Sequence, residues 1–189
     1  MGLQQLATDL GNAFVAFCVA LAFAAWLWTR MSRLLAFTFG ACFVAAAAAT
    51  TGLKLVSHEL LGAVSDTPIL ALSKGAPSGH AALASVVYGS AAMVFLNASR
   101  RPVGLLGYAW CVLVIGLVAV TRVTLVRHTA GDVIAGLVVG GLGAFVFRRA
   151  LRWQGPARPI LTGDLLLAMV VVATLALASG VRLSSTHFI

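Results

Sequence analysis

The sequence predicts an all-α integral membrane protein built as a bundle of six transmembrane helices. Three observations carry that expectation. Of 189 residues, 61% are hydrophobic and only 10% charged, with a mean hydropathy of +1.02. A soluble domain carries about 25% charged residues, so this chain cannot solvate an ordinary globular surface. Six apolar runs also approach the roughly 20 residues needed to cross a bilayer, with the charges gathered between them.

The runs fall near 11–29, 34–54, 80–98, 103–121, 131–147 and 161–181. The first lacks the positive flank of a signal peptide: the residues before it carry Asp9 and no Lys or Arg, so it reads as a mature spanning helix. The second contains an unbroken alanine run, Ala45 to Ala49, and the fifth a GxxxG pair, Gly136 and Gly140, with Gly141 and Gly143 nearby. Small residues let helix backbones approach closely in lipid, a reading stronger for the glycines than for the alanines, which also serve as filler. With no domain-sized hydrophilic segment and no internal repeat, residues 1–189 read as one domain.

The formal net charge is +8 and the isoelectric point about 10.8, but the charges form short clusters rather than a patch. Nucleic-acid binding is excluded for want of a soluble face to carry it. Cys18, Cys42 and Cys111 all lie within apolar runs, an odd set without zinc or disulfide spacing, and read as small buried apolar residues. Arg30, Arg33, Arg100, Arg101, Arg148, Arg149, Arg152 and Arg158 fall on one side if the spans alternate. Lys54, Lys74, Arg122, Arg127 and Arg182 fall on the other. The positive-inside rule then faces the second and fourth loops and both termini outward.

Those outward loops hold most of the chemistry-bearing residues. His58, His80 and His128 lie there with Asp66 and Asp132, while His187 stands apart in the C-terminal tail. Ionisable groups at the membrane boundary are costly unless paired or used, so their concentration points to one site. His128 and Asp132 are four apart and share a face if the fifth helix has begun. The carboxylate then fixes the ring tautomer and leaves the other nitrogen as nucleophile or base. Arg122 suits bidentate recognition of phosphate or carboxylate. Taken alone these residues also fit a helix-start pair with an interfacial arginine, or a proton relay; as a zinc site they lack a third ligand. In the other loop, Pro77-Ser78-Gly79-His80 opens the third helix. Ser78 is placed to cap it, Gly79 admits a ligand to the backbone, and His80 is placed to donate a proton. A helix N-terminus with Lys54 nearby makes an anion site.

Together these residues resemble the type 2 phosphatidic acid phosphatases, with the related bacterial acid phosphatases and vanadium haloperoxidases. That family's pattern is a lysine, six residues and Arg-Pro; then Pro-Ser-Gly-His; then Ser-Arg, five residues, His, three residues and Asp. Pro77-Ser78-Gly79-His80 matches the second motif, and Arg122, His128 and Asp132 the third, with Thr121 in place of Ser and Asp132-Val-Ile-Ala-Gly136 as the continuation. The first motif departs: Lys54 stands where the lysine belongs, but Leu61-Gly62 replaces Arg-Pro. Lys74 and Arg127 are the candidates to replace the missing charge, while His58 and Glu59 read as structural or substrate-shaping.

The resemblance implies a metal-independent phosphatase with no cofactor. His128 would attack phosphorus, Asp132 orient its ring, and His80 protonate the leaving group. Lys54, Ser78, Gly79 and Arg122 would hold the phosphoryl oxygens. The implied partners are a lipid phosphate or diphosphate substrate and the bilayer of a bacterial-type inner membrane, with the site on its outer face. A phosphotransferase using the same site, and a non-catalytic lipid-phosphate-binding or transport protein, are the alternatives.

Overall fold

A computed structural model describes residues 12–61, 77–97, 101–125, 128–154 and 163–179, with residues 58–61 described by their backbone alone. Among the described residues the chain is entirely helical. The elements are α1 (Ala13–Arg30), α2 (Arg33–Leu61), α3 (Gly79–Leu96), α4 (Arg101–Thr124), α5 (Ala130–Trp153) and α6 (Gly163–Ala178). Asn12 caps α1, its Oδ1 accepting the Phe14 N–H at 2.9 Å, and the Ser32 hydroxyl accepts the Leu35 N–H at the start of α2 at 3.1 Å.

The bundle is organised around α3. Thirteen of its 18 residues are buried, whereas α1, α2, α4 and α5 bury only 28–39% of their spanning windows. A helix that is apolar on every face belongs inside, and α3 packs against α5, α4, α2 and α1. The remaining helices turn apolar residues outward: Leu34, Phe37, Leu105, Leu106, Leu142 and Leu167 are all more than 60% exposed. Such a surface has lipid as its natural solvent. Five helices, α1 to α5, are long and apolar enough to cross a membrane. The expected sixth span is apolar too, but α6 has 16 residues, about 24 Å of helix against a hydrocarbon core of about 30 Å.

Close packing of α3 on α5 comes from the glycines. A Cβ on Gly136 would collide with the Ser78 carbonyl oxygen. One on Gly140 would collide with the Ala82 carbonyl oxygen and come within 2.7 Å of Ser85 Cβ. Gly143 meets Val86 Cγ2 at 3.0 Å, and Gly89 on α3 meets Ala144 at 3.1 Å. Contact partners advance along both helices in the same sense, so α3 and α5 run parallel and begin at the same end of the bundle. Gly141 is different, with nothing from a neighbouring element within 4 Å of an added Cβ among the described residues. Of the alanine run only Ala46 is buried, so its other members serve mainly as filler.

The opposite end is tied by polar contacts. Asp164 at the start of α6 pairs with Arg30 at 3.1 Å and accepts the Trp26 indole N–H at 3.2 Å, while the Gln154 amide donates to the Ser32 hydroxyl at 2.8 Å. The described arginines Arg30, Arg33, Arg101, Arg148, Arg149 and Arg152 gather at this end, away from the histidines. Phe23, Phe39 and Phe147 form an aromatic core between α1, α2 and α5, with ring centroids 4.7–6.0 Å apart.

Two helix ends differ from the sequence expectation. α2 runs seven residues past Lys54, because Leu55 to Leu61 contain neither Gly nor Pro and Gly62 is the next breaker. α5 runs on to Trp153 rather than stopping at 147, since Arg148 to Arg152 are strong helix formers and Leu151 is buried.

Candidate active site

Lys54, His80, Arg122, His128 and Asp132 converge at the end of the bundle where α3 and α5 begin. Lys54, Arg122 and His128 all lie within electrostatic range of His80, and Arg122 and Asp132 within range of Lys54. Four segments supply them: α2, the first turn of α3, the last turn of α4, and the start of α5.

At the α3 end, Ser78 is fully buried and occupies the N-cap position, but its hydroxyl does not cap the helix. Backbone geometry separates it from the other cap of the site. Thr129, at φ −74° and ψ 162°, accepts a first-turn N–H of α5; Ser78, at φ −68° and ψ 108°, accepts none in α3. The expected capping role is therefore corrected: Ser78 Oγ is buried without a hydrogen-bond partner among the described residues. The N–H groups of the first turn have no acceptor within an α-helix, so α3 presents donors and its positive dipole end here. Among the described residues a Cβ at Gly79 would meet no atom of a neighbouring element within 4 Å, so no described helix packs against it.

At the α5 end, the expected i,i+4 face is replaced by a cap. Helix α5 begins at Ala130 with Thr129 as N-cap, which places His128 outside the helix and Asp132 at its third position. Thr129 and Asp132 form a reciprocal capping box. The Thr129 hydroxyl accepts the Asp132 N–H at 3.2 Å, and Asp132 Oδ2 accepts the Thr129 N–H at 3.0 Å. The same Oδ2 lies 3.5 Å from Nδ1 of His128. That approach has the expected pairing but exceeds the 2.7–2.9 Å of a charge-assisted hydrogen bond, as is common in sites without substrate. Asp132 is fully buried and the His128 side chain 11% exposed. Burial holds the His128 pKa below its usual 6.5, reinforced by Arg122 and Lys54 and opposed by Asp132, so the ring is neutral at neutral pH.

The two ends are joined directly. The Ser78 N–H donates to the backbone carbonyl of Asp132 at 2.9 Å, and the His128 N–H to the carbonyl of Arg122 at 3.2 Å. Thr121, buried beside Arg122, turns its hydroxyl back to the Leu117 and Val118 carbonyls at 2.7 and 3.1 Å. The site thus combines two cationic side chains, a helix N-terminus, a buried hydroxyl and two histidines. Such a set is suited to holding a phosphoryl group while a ring nitrogen attacks it. Lys74 and Arg127 lie outside the described residues, as do the side chains of His58 and Glu59. Sequence reasoning missed Thr129, although Thr129-Ala-Gly-Asp132 carries the capping-box spacing.

No curated protein and no solved structure matches the chain. A protein-family model described as the PAP2 superfamily does, over residues 49–156, more than half the sequence and a range containing every residue of the site. With that match laid over the converged histidines and cations, the chain belongs to the PAP2 superfamily, whose activity is phosphatase chemistry on phosphate esters.

Proposed function

We propose that this protein is an integral membrane lipid phosphatase working through a phosphohistidine on His128. The observation that favours a lipid substrate is what surrounds the two cations. Leu53, Leu55 and Val56 beside Lys54 are 48–58% exposed, and Val120 and Val123 beside Arg122 are 59% and 40% exposed. Lys54 and Arg122 therefore sit at the level of a lipid-facing apolar surface. A phosphate delivered there is best carried by a hydrocarbon anchor.

In the proposed reaction, Lys54, Arg122, the Ser78 hydroxyl and the Gly79 N–H hold the phosphoryl oxygens. Since Nδ1 of His128 faces Asp132, Nε2 is the attacking atom. The Nε2–phosphorus bond forms as the bond from phosphorus to the leaving oxygen breaks, and that oxygen takes a proton from His80. His80 then removes a proton from water, whose oxygen displaces Nε2 and releases inorganic phosphate. The lysine and arginine charges and the amide donors offset the charge gathered on the phosphoryl group. The bacterial-type inner membrane, with the site on its outer face, completes the reading; it rests on the loop-charge bias.

The test is phosphate release by purified protein from phosphatidate, phosphatidylglycerol phosphate, undecaprenyl diphosphate and a lipid A 1-phosphate, with EDTA present. Release from at least one of these is expected, with water-soluble esters poor by comparison. Cleavage of soluble esters alone would overturn the lipid assignment. Appearance of the phosphate on an added alcohol instead of in solution would identify a phosphotransferase.

A further inference from the structure

The Asp132 carboxylate serves two partners through one oxygen. Its Oδ2 accepts the Thr129 N–H at 3.0 Å and faces Nδ1 of His128 at 3.5 Å. The arrangement is closed from the other side by the Thr129 hydroxyl, which accepts the Asp132 N–H at 3.2 Å. Thr129 follows His128 directly in the chain, so one reciprocal cap fixes both the backbone leaving the histidine and the rotamer of the carboxylate that meets its ring. The carbonyl of Asp132 is held as well, by the Ser78 N–H at 2.9 Å. Asp132 is thus held at three points, its carboxylate, its N–H and its carbonyl, the first two by Thr129.

We propose that Thr129 is a positioning residue for the chemistry of His128, aiming Asp132 Oδ2 at Nδ1 so that the ring keeps its proton there and presents Nε2. This inference rests on the proposed role of His128. It assigns the tautomer of that ring to a residue that touches neither the phosphate nor the ring proton. Without the hydroxyl, the Asp132 N–H loses its acceptor and the reciprocal cap keeps only the bond from the Thr129 N–H, so the approach of Oδ2 to Nδ1 is less tightly fixed. The fraction of His128 with Nε2 unprotonated then falls.

The variants are Thr129→Val, which keeps shape and the backbone N–H but loses the hydroxyl, and Thr129→Ser, which restores it. With a lipid phosphate, Thr129→Val is expected to lower kcat about 10- to 100-fold while KM stays within about twofold, and Thr129→Ser to recover most of that loss. Independently of turnover, 15N NMR of histidine-labelled protein, assigned with His128→Ala, reads the ring directly. Wild type and Thr129→Ser are expected to hold His128 in the Nδ1–H form, and Thr129→Val to show a mixture with Nε2–H. An unchanged tautomer in Thr129→Val, or a serine variant as impaired as the valine one, overturns the positioning role. If wild type releases no phosphate from any lipid, the proposed function fails while the tautomer comparison still decides the part played by Thr129.

Discussion

The backbone N–H of Ser78 donates to the backbone carbonyl of Asp132 at 2.9 Å, joining the first turn of α3 to the turn that bears His128 by main chain alone. No side chain mediates the joint. It is possible because Gly136, one turn further along α5, leaves room for the Ser78 carbonyl. The helix packing and the site geometry are therefore one feature.

Gly136→Ala is accordingly expected to disturb both. The added methyl would strike the Ser78 carbonyl oxygen, so α3 and α5 must separate. A destabilisation of about 1–3 kcal/mol is expected, with activity lost beyond what the stability change explains. Thermal unfolding in detergent, compared with Gly141→Ala, checks it. Among the described residues nothing packs against the Gly141 Cβ position, and that variant should be close to neutral.

Ser78→Ala should separate stability from function in the opposite way. The hydroxyl is buried and has no hydrogen-bond partner among the described residues, so removing it leaves no described group unsatisfied, and the melting temperature should hold or rise. If the hydroxyl serves the phosphoryl group, kcat falls about 100-fold or more. A clear drop in melting temperature with unchanged kcat would show the hydroxyl to be structural.

Gly79→Ala tests the approach of the anion to α3. Among the described residues no neighbouring element lies within 4 Å of the added methyl, so unfolding should be unaffected. Substrate affinity and inhibition by inorganic phosphate are expected to weaken about 10-fold as the methyl obstructs the first-turn N–H groups. Equal phosphate inhibition in wild type and variant would place the anion elsewhere.

The His128 pKa is depressed on folding, chiefly by burial, and the sign of its pH dependence follows. Between the folded value and 6.5 the unfolded chain binds more protons, so stability rises with pH across that window and His128 adds no slope above it. The His128 ring is therefore neutral throughout the neutral range. NMR titration of labelled His128 should give a midpoint below 6.5; a midpoint above 6.5 would mean that Asp132 outweighs burial and the two cations.

Much of the site was legible because its chemistry needs fixed residue types at fixed spacings. His80, Arg122, His128 and Asp132 were identifiable from two loops, and structure brings them together with Lys54. The ends of α2 and α5 were not, because the charges at Lys54 and Arg148 interrupt the apolar run without interrupting the helix. The hydroxyl of Ser78 was misjudged because ψ, not residue type, decides whether a cap forms, as Thr129 demonstrates. Gly136 and Gly141 look alike in sequence and differ only in the face of α5 they occupy.

The central claim is a covalent intermediate on His128. Rapid quenching of purified protein with a lipid carrying a 32P-labelled phosphate tests it most directly. An alkali-stable, acid-labile labelled protein is expected in wild type and absent in His128→Ala. Turnover of the same lipid with no labelled protein at any time, or equal labelling in His128→Ala, would contradict the account.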